Sequence, residues 1–301
     1  MMDLFKDATD KMAGNKLAFN ISITGDIGSG KSTVAKELAE RLSMRIVDSG
    51  QLYRKFASDK NISVLEQNQS NDNSIDIKID NTIAEMGKTE KGIIFVSRLA
   101  WYFVPDSIKI YLKVNPLVAA ERVVSDTRVG EEHTNVDDTL RYNQERKQLE
   151  LNRYKDMYSI DDPSGYSNAD IICNIGYNKP EDVVDILYDA IINREFGFYT
   201  DPRVLLPTQG IRDFSISKIN FYINLLGESK GVDADVSMYR DSLYINDGHH
   251  RIAASISLDK NFIRIPKPNV INIKPDIPTP YDYEDMVNIR MSEEYRLHCS
   301  Y

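Results

Sequence analysis

Between Gly25 and Thr33 the chain reads GDIGSGKST, and the residues able to do chemistry there stand at set intervals. Gly25, Gly28, Gly30, Lys31 and Ser32 satisfy G-x-x-x-x-G-K-[ST], with Ser29 and Thr33 completing the stretch. The chemistry implied is the cradling of a phosphate chain. Glycines let the backbone wrap around phosphate oxygens, while loop amides and the N-terminus of the next helix supply partial positive charge. Lys31 would reach the β- and γ-phosphates, and the Ser32 hydroxyl would take a place on Mg²⁺, so ATP and Mg²⁺ are the cofactors expected. The plainer alternative is a glycine-rich turn between a strand and a helix.

A second chemistry-bearing cluster is Asp247-Gly248-His249-His250-Arg251, within YINDGHHRIAAS. Gly248 permits a tight turn and a close backbone approach. The histidines and Arg251 would then open a helix whose amides and positive side chains could bind a phosphate. Alternatively Asp247 caps that helix and the histidines pack against a sheet. Metal binding is disfavoured, because adjacent histidines have no third ligand in view.

The elements that must position these residues follow from periodicity. KLAFNISITG reads as a buried strand, and KSTVAKELAERL spaces Val34, Leu38 and Leu42 by fours, an amphipathic helix. MRIVDSG is a short strand ending in a turn, and GIIFVSR, IKIYLKV and ADIICNIG are further strands. DIKIDNTIAEMGK, NPLVAAERVVSD and the long polar VDDTLRYNQERKQLELNRYKDMY are helices between them, and EQNQSNDNS is a loop. KPEDVVDILYDAIINREF closes the series as a helix, with Pro180, Glu181 and Asp182 in its first turn. Strands alternating with helices predict an α/β fold, a parallel sheet with helices on both faces. Around GFYTDPRVLLPTQG prolines and glycines cluster and the alternation restarts, which marks a domain boundary. The expected division is an arm over 1–15, a nucleotide-binding domain over 16–197, a smaller α+β domain over 198–275 and a proline-rich tail over 276–301.

Composition narrows the classes. The 301 residues carry a formal charge of −9, which disfavours non-specific adhesion to DNA. No stretch reaches the roughly 18–20 apolar residues of a membrane span. The first residues lack an apolar signal core. The two cysteines, Cys173 and Cys299, suit a reducing compartment rather than a disulfide framework, so the expected location is the cytoplasm.

VDSGQLYRKFA, IDNTIAEM, VSRLAWYFVPD, NPLVAAERV and ERKQLELNRYKDMYSID follow the phosphate loop in order. Together they resemble the cytidylate kinases, particularly the short archaeal type, from about Lys16 to Leu187. The resemblance implies a P-loop nucleoside monophosphate kinase in which Asp48 sits near Mg²⁺ and the reacting phosphates. Ser49 and Arg54 would hold the acceptor phosphate, Arg98 the acceptor nucleotide, and Arg146 and Arg153 would belong to the segment that closes over the transferring group. Arginine's planar fork of donors suits such work. The alternatives are that Asp48 only caps the next helix, that the arginines are solvated, and that Tyr53, Tyr154 and Tyr158 are packing residues.

The chain also departs from that family. Val96-Ser97-Arg98 stands where E-G-R is usual, and Ala120 replaces the first of two arginines, leaving Arg122. Asp126-Thr127 replaces an R-E pair, with Arg128 displaced, and Arg146-Lys147 replaces another. The donor site is complete, whereas the acceptor and lid sites are altered.

YRDSLYINDGHHRIAASISLDKNFIRIP, opened by DPRVLLPTQGIRDFSISKIN, resembles the ParB/sulfiredoxin-like domains from about Phe198 to Lys267. That resemblance implies nucleotide or phosphate binding by the Asp247–Arg251 loop. Three functions follow as expectations: an ATP-dependent kinase of a nucleotide such as CMP or dCMP; a kinase of a hydroxymethylated pyrimidine in DNA, with the second domain presenting the strand; and a nucleotide-sensing regulator that binds DNA, or a serine kinase activity in the second domain. No basic stripe interleaved with aromatics supports DNA binding.

Overall fold

Ile21 and Ile23 are fully buried, as are Ile94, Phe95 and Ile110 on the strands beside them, and these apolar runs define the sheet. The computed structural model describes residues 18–53, 74–125, 135–208 and 215–275. The expected arm, most of the EQNQSNDNS loop and the expected tail lie outside the described residues, as do Arg54 and Asp126-Thr127-Arg128. The chain divides into two compact units. The first takes in Met1–Leu112, Asn143–Ile171 and Val183–Glu195; the second takes in Lys113–Tyr142, Ile172–Asp182 and Phe196–Tyr301.

In the first unit β1 (Ile21–Gly25) pairs in parallel with β3 (Ile93–Val96) and β4 (Ile108–Lys113), and β2 (Arg45–Asp48) pairs in parallel with β3. The spatial order is therefore β4-β1-β3-β2. Helix α1 (Lys31–Leu42) lays Val34, Ala35, Leu38, Ala39 and Leu42 on these strands. It stops at Ser43, whose left-handed φ of 54° reverses the chain into β2. Helix α2 (Ser74–Thr89) buries Ile75, Ile79 and Ile83 against Val47, Ile93, Phe95 and Val104. A buried side chain of the size of Phe95 is worth about 1.5–3 kcal/mol. The short α3 (Ala100–Phe103) follows β3 directly. β2 does not end in a turn as its sequence predicts; a helix begins at Ser49.

The second unit contains α4 (Pro116–Ser125). Between the two units are shared α5 (Val136–Tyr158), in the first from Asn143 on, β5 (Ile171–Asn174), in the second from Ile172 on, and α6 (Pro180–Asn193), in the first from Val183 on. In the second unit β6 (Gly197–Thr200) pairs antiparallel with β10 (Ile263–Ile265). A separate four-stranded sheet has the order β11-β8-β9-β7, from β7 (Leu205–Pro207), β8 (Asp235–Tyr239), β9 (Ser242–Asp247) and β11 (Asn269–Val270). Helices α7 (Ile216–Leu226) and α8 (His249–Ser257) pack through Ile219, Ala253 and Ala254. Among the described residues no helix is long and apolar enough to cross a membrane.

Candidate active site

The phosphate loop begins where β1 runs out of room. Gly25 has φ of 147°, and a Cβ there would lie 2.3 Å from the carbonyl oxygen of Leu112 on β4. Glycine alone tolerates both constraints. The Asp26 amide donates to that same carbonyl at 3.0 Å, and the Tyr111 hydroxyl donates to Asp26 Oδ1 at 2.6 Å, so β4 holds the loop's first turn. The loop returns through Ser29, which is buried, to Gly30 at the N-terminus of α1, where no side chain caps the helix. Ser32 and Thr33 are exposed on its first turn.

Lys31 bends back over this turn. Its Nζ donates to the carbonyls of Gly25 at 3.0 Å and Asp26 at 2.6 Å, and to Ser29 Oγ at 3.4 Å. Burial, joined by the guanidiniums of Arg98 and Arg146 and partly opposed by Asp26 and Asp48, pushes its ammonium down to about 7. The loop's lysine thus feels charges from three segments remote in sequence, those of Asp48, Arg98 and Arg146. Ser32 Oγ donates to Asp48 Oδ2 at 3.0 Å, while Asp48 Oδ1 accepts from the amides of Gly50 at 2.8 Å and Gln51 at 3.3 Å. Asp48 therefore caps the helix that opens at Ser49 and faces the start of α1 as well. A serine hydroxyl and a carboxylate at this separation are the hard oxygen donors that Mg²⁺ prefers.

Arg98 stands just after β3, and burial together with the Arg146 guanidinium pushes it down to about 10, so it stays cationic at neutral pH. It pairs with Glu150 of α5, and Arg146 Nε lies 3.2 Å from the other oxygen of the same carboxylate. One turn further on, Arg153 pairs with Asp76 of α2 at 3.5 Å and stacks over the Tyr154 ring, 5.1 Å from its centroid. Tyr158 donates to Asp80 at 2.6 Å, and burial pushes that carboxyl up to about 6 against the effect of the hydrogen bond. Tyr154 is buried against Leu99 and Ile160, and Tyr53 packs beside the α2 cluster. Asp26, Tyr111, Asp76, Asp80 and Glu150 are the site residues that motif reading passed over. Only Glu150 carried a local signal, its i,i+4 spacing from Arg146 on a helix. The others meet their partners through the sheet and through α2.

The second cluster lies in the second unit. Gly248 has φ of 95° and ends β9; a Cβ there would sit 2.9 Å from that of Ala234. It is the N-cap of α8, and Asp247 makes no cap bond. His249, 1% exposed, accepts the Thr208 amide at Nε2 at 3.1 Å, and His250 Nε2 accepts the Ser215 amide at 3.1 Å. Both imidazoles are therefore held neutral. Burial pushes His249 down to about 4 despite Asp247, and burial and then Lys218 lower His250. Arg251 donates to the Asp233 carbonyl at 2.5 Å, lies 3.9 and 3.8 Å from the carboxylates of Asp233 and Asp247, and stacks over Tyr222.

A family profile described as an AAA domain matches residues 21–149. The cytidylate kinase of Archaeoglobus fulgidus is 34% identical over 174 residues, 57% of this chain and 93% of that protein. The cytidylate kinase of Sulfolobus acidocaldarius is 33% identical over 175 residues, 57% of this chain and 93% of that protein. Among solved structures, shikimate kinase from Bacteroides thetaiotaomicron is similar at a TM-score of 0.40 and 18% identity, covering 57% of this chain and 98% of that one.

Proposed function

The chain belongs to the cytidylate kinase family, whose members are ATP-dependent phosphotransferases, and from that premise we propose that it moves the γ-phosphate of ATP to a nucleotide or nucleotide-like acceptor, CMP or dCMP first. The observation that supports this most is the geometry of the phosphate loop, where Lys31 folds back onto the carbonyls of Gly25 and Asp26 and Ser32 Oγ meets Asp48 at 3.0 Å. Phosphoryl transfer asks a protein mainly to position the reactants and to stabilise charge on the equatorial oxygens. Lys31 would exchange its carbonyl partners Gly25 and Asp26 for phosphate oxygens. Gly25, Gly28, Ser29, Gly30, Ser32 and Thr33 would wrap the donor phosphates. Arg98 and Arg146 would meet the acceptor's phosphate as it takes up the transferring group, with Ser49 and Arg54 beside them. Ser32 and Asp48 would hold Mg²⁺, which when bound neutralises developing charge on the phosphates. Arg153, fixed by Asp76 and Tyr154, would orient the acceptor against α5.

The test is a phosphate-transfer screen with labelled ATP, offering CMP, dCMP, UMP, free serine, and DNA with and without hydroxymethylated pyrimidines. Label on CMP or dCMP supports the proposal. Label on DNA or serine alone moves the acceptor elsewhere, and label on none of them overturns it.

A further inference from the structure

Glu150 sets its two carboxylate oxygens on two different guanidiniums, Oε2 on Arg98 and Oε1 on Arg146. Its side chain is 15% exposed, less than either arginine at 30% and 40%. Two guanidiniums from different elements are thus gathered around one carboxylate. Two oxygens spread over two guanidinium forks is also the way arginines receive a phosphoryl group. Glu150 is not held there by the α5 backbone spacing alone: Arg146 is four residues back on the same helix, but Arg98 comes from the end of β3.

We propose that Glu150 is a positioning residue that acts as an internal anion, occupying Arg98 and Arg146 until the phosphate of an acceptor displaces it. This rests on the phosphotransferase reading of the site. Without the carboxylate the two arginines would carry unscreened like charges and would capture any small anion. With it, the arginines are pre-aimed and their repulsion is offset, but the acceptor must compete for them. Such a competitor stabilises only the free enzyme. The Michaelis complex and the transition state have both displaced it, so its removal lowers the acceptor KM and leaves kcat unchanged.

The experiment compares the full chain with Glu150→Gln, titrating CMP and, separately, inorganic pyrophosphate by calorimetry, with steady-state kinetics and thermal melting alongside. The variant is expected to bind both about twofold to fivefold tighter, the scale of one partly exposed ion pair. Its acceptor KM should fall by a similar factor with kcat within about twofold. The unliganded variant should melt lower, because the guanidiniums lose their counter-charge. Combining it with Arg98→Ala should cancel the gain for CMP. Unchanged or weaker binding, or a fall in kcat at constant KM, overturns the proposal. If the glutamine variant does not fold, Glu150→Asp, with a shorter reach, must show part of the same gain. If the wild-type chain transfers phosphate to no acceptor, the functional reading fails by itself, while the pyrophosphate titration still decides the role of Glu150.

Discussion

Ser32 Oγ and Asp48 Oδ2 lie 3.0 Å apart, joining the hydroxyl at the start of α1 to the carboxylate that ends β2. The same carboxylate accepts two backbone amides from the helix beyond it. Helix capping and a place beside the phosphate loop, alternatives when only the residues are read, coexist because the two oxygens face different ways.

Asp48→Asn and Asp48→Ala should therefore separate the two roles. The asparagine oxygen keeps the bonds to Gly50 and Gln51, so its melting temperature should stay near wild type while the Mg²⁺ concentration for half-maximal activity rises. The alanine variant should also lose about 0.5–2 kcal/mol of stability, read by denaturant unfolding.

Lys31→Ala should all but abolish phosphoryl transfer with the fold intact. Removing one charged group from a water-excluded site costs roughly 3–4 kcal/mol of transition-state stabilisation, about 10²–10³ in kcat. Retained turnover with an unchanged melting curve would remove the kinase assignment from this loop.

The lowered Lys31 ammonium also predicts proton uptake on ATP binding. Above about 7 the free protein holds this lysine largely neutral, and the phosphates then restore its charge. Calorimetry near pH 8 in buffers of different ionisation enthalpy should show up to one proton taken up, absent in Lys31→Met. The sign for stability is opposite to that of a paired lysine. The unfolded chain holds the extra proton between about 7 and 10.5, so this group makes stability rise with pH across that window.

Arg98→Ala should lower acceptor kcat/KM about 10- to 150-fold, the range of one charge-assisted contact, and leave ATP affinity nearly unchanged. An equal loss of ATP affinity would assign Arg98 to the donor phosphates instead.

In the second unit, His249 is held down at about 4 while accepting the Thr208 amide. As pH falls from 6.5 to 4 the unfolded chain binds the proton first, so stability should drop with a slope of up to about 1.4 kcal/mol per pH unit. Urea unfolding across that range should show the slope, and His249→Gln should flatten it.

Much of the frame was legible from periodicity. VDDTLRYNQERKQLELNRYKDMY is helical from Val136 to Tyr158, and the helix of KPEDVVDILYDAIINREF runs from Pro180 with its acidic first turn. Local signals were strong there because apolar spacing, proline and helix-end charge are all written within a few residues. The end of β2 read less well, because Asp48 begins a helix through contacts that a strand followed by S-G does not announce.

The sequence by itself determined the phosphate loop. Its geometry is set by backbone freedom and by one lysine and one serine at adjacent positions, all of them local properties. Only the tertiary structure decided which cations surround Lys31 and what holds them. Arg98 and Arg146 act on its charge from the end of β3 and from α5, and Glu150, Asp76 and Asp26 find their partners through the packing of strands and helices. Electrostatic neighbours depend on distance in space, and residues remote in sequence acquire that distance only when the apolar faces of α1 and α2 close on the sheet.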